Sequence, residues 1–164
     1  KTQVFKGRLR QAFGGGGPSS NRPLKTCVFY CSNNLDADRL GELRQEVAGD
    51  TVKTIGLPCS GKVDVPYLIK ALETGADGVA IVACKRQECR HFEGSLRAHK
   101  RAEAVESLLA EIGLDAGRMT VIECARGAGE QVCDEIKQFI ERLRTLPQGR
   151  IPGDAMNKRE RVVA

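Results

Sequence analysis

Four cysteines stand where they could together hold a metal ion or an iron–sulfur cluster. Cys31 and Cys59 each follow a different apolar run, and Cys84 and Cys89 enclose a four-residue segment after a third run. Thiolates are the ligands of iron–sulfur clusters and of many structural zinc ions, and both kinds of site commonly take four. Only the last two cysteines are close in sequence. The chemistry therefore depends on a fold that brings three separate segments together.

The other three of the seven cysteines are predicted to do something different. Cys27 lies inside the first apolar run and Cys133 inside the last helical pattern, so both are expected in the core. Cys124 ends a fourth apolar run and is kept as a fifth candidate ligand. An odd number of cysteines fits poorly with a complete set of disulfides. Since no secretory-like segment opens the sequence, we expect a cytoplasmic protein, where clustered cysteines more often bind metal or perform catalysis.

Four short apolar runs alternate with four helical patterns, and this alternation predicts an α/β fold. The expected architecture is a small flavodoxin- or Rossmann-like four-stranded parallel sheet with helices on both faces. The predicted strands are Thr26–Tyr30, Thr51–Leu57, Gly78–Ala83 and Met119–Glu123. The predicted helices begin at Asp36, at Asp64, at Ser95 and near residue 128.

The predicted sheet explains how distant cysteines could meet. If a flavodoxin-like strand order of 2-1-3-4 is assumed, the first three strands are neighbours, and ligands of such sheets bind beyond the carboxyl ends of the strands. Cys31, Cys59, Cys84 and Cys89 all follow carboxyl ends of these strands. The topology thus predicts a four-thiolate site, occupied by an iron–sulfur cluster or by a structural zinc ion.

Composition separates a central α/β domain, residues 24–146, from two extended arms, residues 1–23 and 147–164. The first arm contains a run of four glycines, and residues 1–25 hold six basic side chains and no acidic one. We expect such a basic arm to dock on a protein partner. Only 4% of residues are aromatic, so no stacking platform for nucleic acid is predicted. The longest apolar run, Val79–Cys84, is too short to span a membrane.

Two blocks of sequence frame the candidate ligands and carry a family resemblance. They are Cys59-Ser60-Gly61-Lys62-Val63-Asp64, and Gly75-Ala76-Asp77-Gly78-Val79 followed by the segment from Cys84 to His91. These blocks resemble the hydrogenase iron–sulfur subunits, whose type member is the delta subunit of methyl-viologen-reducing hydrogenase. The resemblance covers about residues 26–145 and neither arm.

The resemblance implies an electron-transfer subunit of an oxidoreductase complex, without substrate chemistry of its own. It implies a [2Fe-2S] cluster bound by Cys31, Cys59, Cys84 and Cys89. The implied partner is a flavin- and iron–sulfur-containing heterodisulfide reductase A-like subunit. Hydrogenase, formate dehydrogenase or other oxidoreductase subunits are further partners that the resemblance implies.

Two other functions use the same cysteines. A zinc-stabilised protein-binding module would need the same four thiolates, although structural zinc sites usually contain two close cysteine pairs and this sequence has one. A thiol redox protein would use Cys84 and Cys89, although enzymes of that class favour a Cys-x-x-Cys motif at a helix start. Around a cluster, Asn33, Ser60 and Gly61 are candidate hydrogen-bond donors. The nearby basic residues Lys62, Lys85 and Arg86 would offset its negative charge.

Overall fold

The computed structural model describes residues 22–35, 38, 40, 41, 47, 49–147 and 149. The two predicted arms, apart from the few residues at their inner ends, lie outside the described residues. The predicted helix from Asp36 is described only in part, and its residues 38, 40 and 41 are helical. In the described part of the chain, every helix is too short or too polar to cross a membrane.

Four parallel strands form one sheet in the order β2-β1-β3-β4. The strands are β1 (Lys25–Cys31), β2 (Thr51–Leu57), β3 (Gly78–Cys84) and β4 (Met119–Cys124). The predicted α/β class is confirmed, and the observed strand order is the one that was assumed. Three strands run one residue further than predicted at their carboxyl ends, and that residue is in each case a cysteine. Every residue of β3 is buried, as expected for a strand covered on both faces.

Three helices are described in full. They are α1 (Val65–Glu73), α2 (Gly94–Glu111) and α3 (Gly129–Thr145), and short 3-10 turns occur at Ser60–Lys62, Arg86–Glu88 and Ala116–Arg118. The Asp64 side chain accepts a hydrogen bond from the backbone N–H of Val65 at 3.0 Å, so the predicted cap of α1 is confirmed. Each of these three helices thus begins within a residue or two of the start that the sequence predicts.

The sheet lies between two apolar layers. On one face, α3 packs Ile136 and Ile140 against Val28 and Val82 of the central strands. On the other face, α1 and α2 contribute the side chains Leu68, Leu72, Ala98, Ala102, Val105 and Leu109. Apolar burial on both faces leaves the carboxyl edge of the sheet as the place where polar and reactive side chains collect.

A buried carboxylate ties the amino ends of β1 and β3 together. Asp77, whose side chain is 2% exposed, accepts the backbone N–H of Lys25 at 2.9 Å and is paired with Arg22 at 2.5 Å. The backbone N–H of Asp77 donates in turn to the carbonyl of Lys25 at 2.7 Å. These bonds help set the register between the two strands, so that Cys31 and Cys84 emerge side by side at the opposite edge.

Candidate functional site

The four predicted ligands meet beyond the carboxyl edge of the sheet. Cys31, Cys84 and Cys89 form a buried cluster of their own, separate from the two apolar layers. The Sγ atoms of Cys84 and Cys31 are 3.6 Å apart, with the Cys84 thiol donating. Cys59 is also buried, and its thiol donates a hydrogen bond to the sulfur of Cys89. The four sulfurs therefore lie as two hydrogen-bonded pairs.

Backbone and side-chain bonds hold the first two loops beside each other. The N–H of Ser32 donates to the carbonyl of Leu57 at 2.8 Å, continuing the pairing of β1 and β2 into their loops. The Asn33 amide donates to the carbonyl of Pro58, and the Cys31 Sγ lies 4.0 Å from the same oxygen. Cys59, the next residue, is therefore fixed close to Cys31.

Two glycines allow the loop after β2 to approach the start of α2. A Cβ atom on Gly94 would lie 2.5 Å from the Cys59 Sγ and 3.1 Å from the Cys89 Sγ. A Cβ atom on Gly61 would lie 2.7 Å from the Cα of Gly94. No side chain fits at either position without moving backbone or sulfur. The sequence did not predict this close approach of Gly61 to Gly94, although Gly61 stands in the Cys-Ser-Gly block.

The start of α2 stabilises negative charge on Cys89. Burial by itself would raise the pKa of this thiol, but the backbone N–H groups of His91, Gly94 and Ser95 donate to the sulfur. The hydrogen-bonded Cys59 thiol adds a fourth donor, and together these bonds lower the pKa below its usual value. Free N–H groups at a helix start are a common means of activating a thiolate.

The pKa values of Cys84 and Cys59 shift in the opposite direction. Burial raises the pKa of Cys84 to about 12, with further contributions from its hydrogen bond to Cys31 and from the neighbouring sulfurs. Burial also raises the pKa of Cys59, partly offset by the backbone N–H of Gly61, which donates to its sulfur. Neighbouring sulfurs add to the raised pKa values of Cys84 and Cys59, and positive charge bound at the site would offset the cost of ionising these two thiols.

These pKa shifts predict the order of thiol reactivity in metal-free protein. We expect iodoacetamide to modify Cys89 before Cys84 between pH 7 and 9, because thiolate is the reactive form and the two pKa values move in opposite directions. Raising the pH should increase Cys89 labelling first, and Cys84 should stay slow until the pH nears 12. Peptide mass spectrometry checks the order, and urea-unfolded protein is the control in which the difference should vanish. Faster labelling of Cys84 in the folded protein would contradict the expectation.

A strained turn shapes the loop between Cys89 and α2. Phe92 has a φ of 54° and is the one non-glycine residue with positive φ in the described part of the chain. The N–H of Glu93 donates to the carbonyl of His91 at 2.5 Å, which closes a γ-turn around Phe92. The N–H of Phe92 donates to the carbonyl of Cys89 at 3.0 Å. A left-handed conformation costs a side-chain-bearing residue about 1–2 kcal/mol, and here the turn directs backbone N–H groups toward the Cys89 sulfur.

The remaining cysteines have other surroundings. Cys27 is buried in the layer beneath α1 and α2, and Cys133 is partly buried against the opposite layer, so their predicted places in the core are confirmed. Cys124, the fifth candidate, neighbours Cys84 across the β3–β4 pair. Its sulfur accepts from the Asn34 amide at 2.9 Å and donates to the carbonyl of Ala83 at 3.7 Å. Cys124 is thus already partnered by protein groups.

Polar and charged residues surround the four sulfurs. Of the predicted donors, Gly61 does donate through its N–H to Cys59, whereas the Asn33 amide donates to Pro58. The hydroxyl of Ser60 is buried and has no hydrogen-bond partner among the described residues. A small cavity at the sulfurs is lined also by Asn33, Asn34, Glu88, Arg90, His91 and Arg126. The predicted charge-offsetting residues Lys62, Lys85 and Arg86 are exposed.

The donor atoms are not arranged around one common ion position. Among the residues for which coordinates are described, no group of three or more His, Cys, Asp or Glu side chains is placed to hold a single metal ion.

Comparison with known proteins identifies relatives over the central domain. The family model described as methyl-viologen-reducing hydrogenase, delta subunit, matches residues 27–147. The iron–sulfur D subunit of the F420-non-reducing hydrogenase of Archaeoglobus profundus is 32% identical over 110 residues, which is 67% of this chain and 80% of that protein. The iron–sulfur D subunit of the vhu F420-non-reducing hydrogenase of Methanocaldococcus jannaschii is 30% identical over 110 residues, 67% of this chain and 81% of that protein.

A second group of relatives is much longer than this chain. The A subunit of the ferredoxin/F420H2-dependent CoB–CoM heterodisulfide reductase of Methanosarcina acetivorans is 30% identical over 120 residues. The match includes 73% of this chain but only 14% of that protein. The chain therefore spans about one seventh of the length of this relative.

Proposed function

The chain belongs to the family of the methyl-viologen-reducing hydrogenase delta subunit, and from this premise we propose that it carries a [2Fe-2S] cluster and relays electrons. Cys31, Cys59, Cys84 and Cys89 would hold the cluster. The observation that carries the proposal is the meeting of these four buried sulfurs, from three loops, in two hydrogen-bonded pairs. When bound, such a cluster supplies transfer of one electron at a time.

The residues present suit this group in number and chemistry, and one of the two sulfur pairs suits it in spacing. Two thiolates bound to one tetrahedral metal at about 2.3 Å lie roughly 3.8 Å from each other, and the Cys31 and Cys84 sulfurs are 3.6 Å apart. The unpartnered Ser60 hydroxyl is a buried donor beside Cys59 in sequence. Two pairs of thiolates are the ligand set that two irons require.

The chain's own groups would stabilise the negative charge of the loaded site. The N–H groups of His91, Gly94 and Ser95 donate to the Cys89 sulfur, and the N–H of Gly61 donates to the Cys59 sulfur. Hydrogen bonds to ligand sulfurs raise the reduction potential of a cluster, because the added electron increases the charge that they stabilise. The sulfurs of Cys31 and Cys84 are nearly inaccessible to water.

We propose as partner a flavin- and iron–sulfur-containing heterodisulfide reductase A-like subunit, in a cytoplasmic multi-subunit oxidoreductase. The A subunits of the Methanosarcina heterodisulfide reductases contain a segment similar to this chain, which supports a functional link between the two. Hydrogenase or formate dehydrogenase components would exchange electrons with the same complex. The chain itself would carry electrons without binding a substrate.

Anaerobic purification followed by metal analysis tests the cluster. We expect about two irons and two acid-labile sulfides per chain, a brown colour, and an EPR signal after one-electron reduction. One zinc ion without sulfide or visible absorbance would instead support a zinc-stabilised binding module. Turnover of a small disulfide substrate, abolished by Cys84→Ser, would support a thiol redox protein. Colourless, iron-free protein from careful anaerobic preparation would contradict the proposal.

A further inference from the structure

The Phe92 side chain stands out beside the sulfur site. It is 87% exposed, more than any other large apolar side chain in the described part of the chain. It lies three residues after Cys89 and two before α2 begins. The positive φ at this position suits glycine or asparagine better than an aromatic residue. Neither solvent exposure nor backbone conformation therefore favours phenylalanine here.

The backbone that carries the ring is nevertheless held in a fixed place. The N–H of Phe92 is bonded to the carbonyl of Cys89, and the N–H of Glu93 to the carbonyl of His91. The same short loop donates its N–H groups to the Cys89 sulfur. The loop that forms the site therefore fixes the point from which the ring projects, and an anchor whose backbone is ordered before binding loses less entropy on docking.

Basic side chains lie around the sulfur site that Phe92 adjoins. Arg90 and Arg126 line the cavity at the sulfurs, and Lys85 and Arg86 directly follow Cys84; all four are exposed. Two acidic residues, Glu88 and Glu93, lie in the same loop, and the Glu93 carboxylate is paired with Arg97 at 2.8 Å. The surface around the site is thus positively charged with one projecting aromatic ring. Such a surface complements an acidic surface with an apolar socket.

We propose that Phe92 is the anchor of a docking surface through which the site meets an acidic partner. This docking surface consists of Phe92 and the basic residues Lys85, Arg86, Arg90 and Arg126. The inference rests on the proposed function, and the occupant is the heterodisulfide reductase A-like subunit. Docking at this place would put the partner directly over the sulfurs and exclude water from the site.

Phe92→Gly tests the anchor without disturbing the fold. Glycine adopts the positive φ freely, so the variant should unfold at the same or a higher temperature and keep its iron. Its affinity for the purified heterodisulfide reductase A-like subunit, measured by calorimetry, should fall at least about tenfold. Asparagine also tolerates a positive φ, so Phe92→Asn should give the same results as Phe92→Gly. Tyr67→Ala is the matched control, because Tyr67 is 64% exposed but lies on α1, and it should leave the affinity within about twofold.

The outcomes separate the two proposals. If the wild-type chain carries iron and binds the subunit, but Phe92→Gly binds equally well, only the docking inference is wrong. If the wild-type chain carries no iron yet binds through Phe92, the docking surface stands and the cluster does not. If the wild-type chain does not bind the heterodisulfide reductase A-like subunit, both the proposed partner and the proposed docking surface are wrong. Loss of iron in both Phe92 variants would mean that Phe92 is needed for the sulfur site itself. A Phe92→Gly variant that still binds the subunit but no longer binds a second copy of the chain would mean that the ring contacts another copy. Either result overturns the anchor.

Discussion

Cys59→Ala is expected to abolish cluster binding and to lower the iron content of anaerobically purified protein at least about tenfold. Cys59 is the single proposed ligand in the loop after β2, and its thiol is hydrogen-bonded to Cys89 in one of the two pairs. No neighbouring cysteine on that loop can replace it. Loss of one thiolate leaves an iron without its fourth ligand in a buried site. Iron and sulfide analysis and EPR of the reduced protein measure the effect.

Two substitutions serve as controls for this result. Cys133 is a partly buried cysteine of α3, which packs on the face of the sheet opposite α1 and α2. Cys133→Ala should therefore leave the iron content unchanged. Cys124→Ala removes a sulfur that is bonded to Asn34 and Ala83, and should also retain iron. Full iron content in Cys59→Ala would show that Cys59 is not a ligand. Loss of iron in Cys124→Ala with retention in Cys59→Ala would assign the fourth position to Cys124.

Gly94→Ala is expected to reduce iron content several-fold without adding or removing any ligand. The new methyl group would lie 2.5 Å from the Cys59 Sγ and 3.1 Å from the Cys89 Sγ. Contacts this short force apart one of the sulfur pairs or shift the start of α2, whose N–H groups bind the Cys89 sulfur. Iron per chain and Tm, measured on the same preparation, separate a damaged site from a damaged fold.

Matched glycine variants make this second test specific. Gly61→Ala would push on the Cα of Gly94 from 2.7 Å and should also lower iron content. Gly41→Ala meets no atom within 4 Å and should leave iron content unchanged. Normal iron content in Gly94→Ala would mean that the sulfurs do not need their present positions, which contradicts a site built on this close approach.

The sequence alone determined the α/β class and the succession of strands and helices along the chain, whereas the order of the strands in the sheet was assumed. Apolar runs in β1 to β4 and the caps and stripes of the helices are local signals, since burial selects side chains with a period of two or of about 3.6 residues. Glycine and proline mark where these patterns stop. The position of Cys31, Cys59, Cys84 and Cys89 after neighbouring strands followed from the assumed strand order. The convergence of these four cysteines could therefore be expected from the sequence together with that strand order.

Only the tertiary structure decided how the sulfurs pair and what surrounds them. That Cys31 lies beside Cys84, and Cys59 beside Cys89, depends on the register of β1 against β3 and on the approach of Gly61 to Gly94. The γ-turn at Phe92 could not be predicted from the sequence either, because phenylalanine disfavours the positive φ that this turn requires. Local sequence encodes the elements, but contacts between segments far apart in the chain arise only when the whole core has packed.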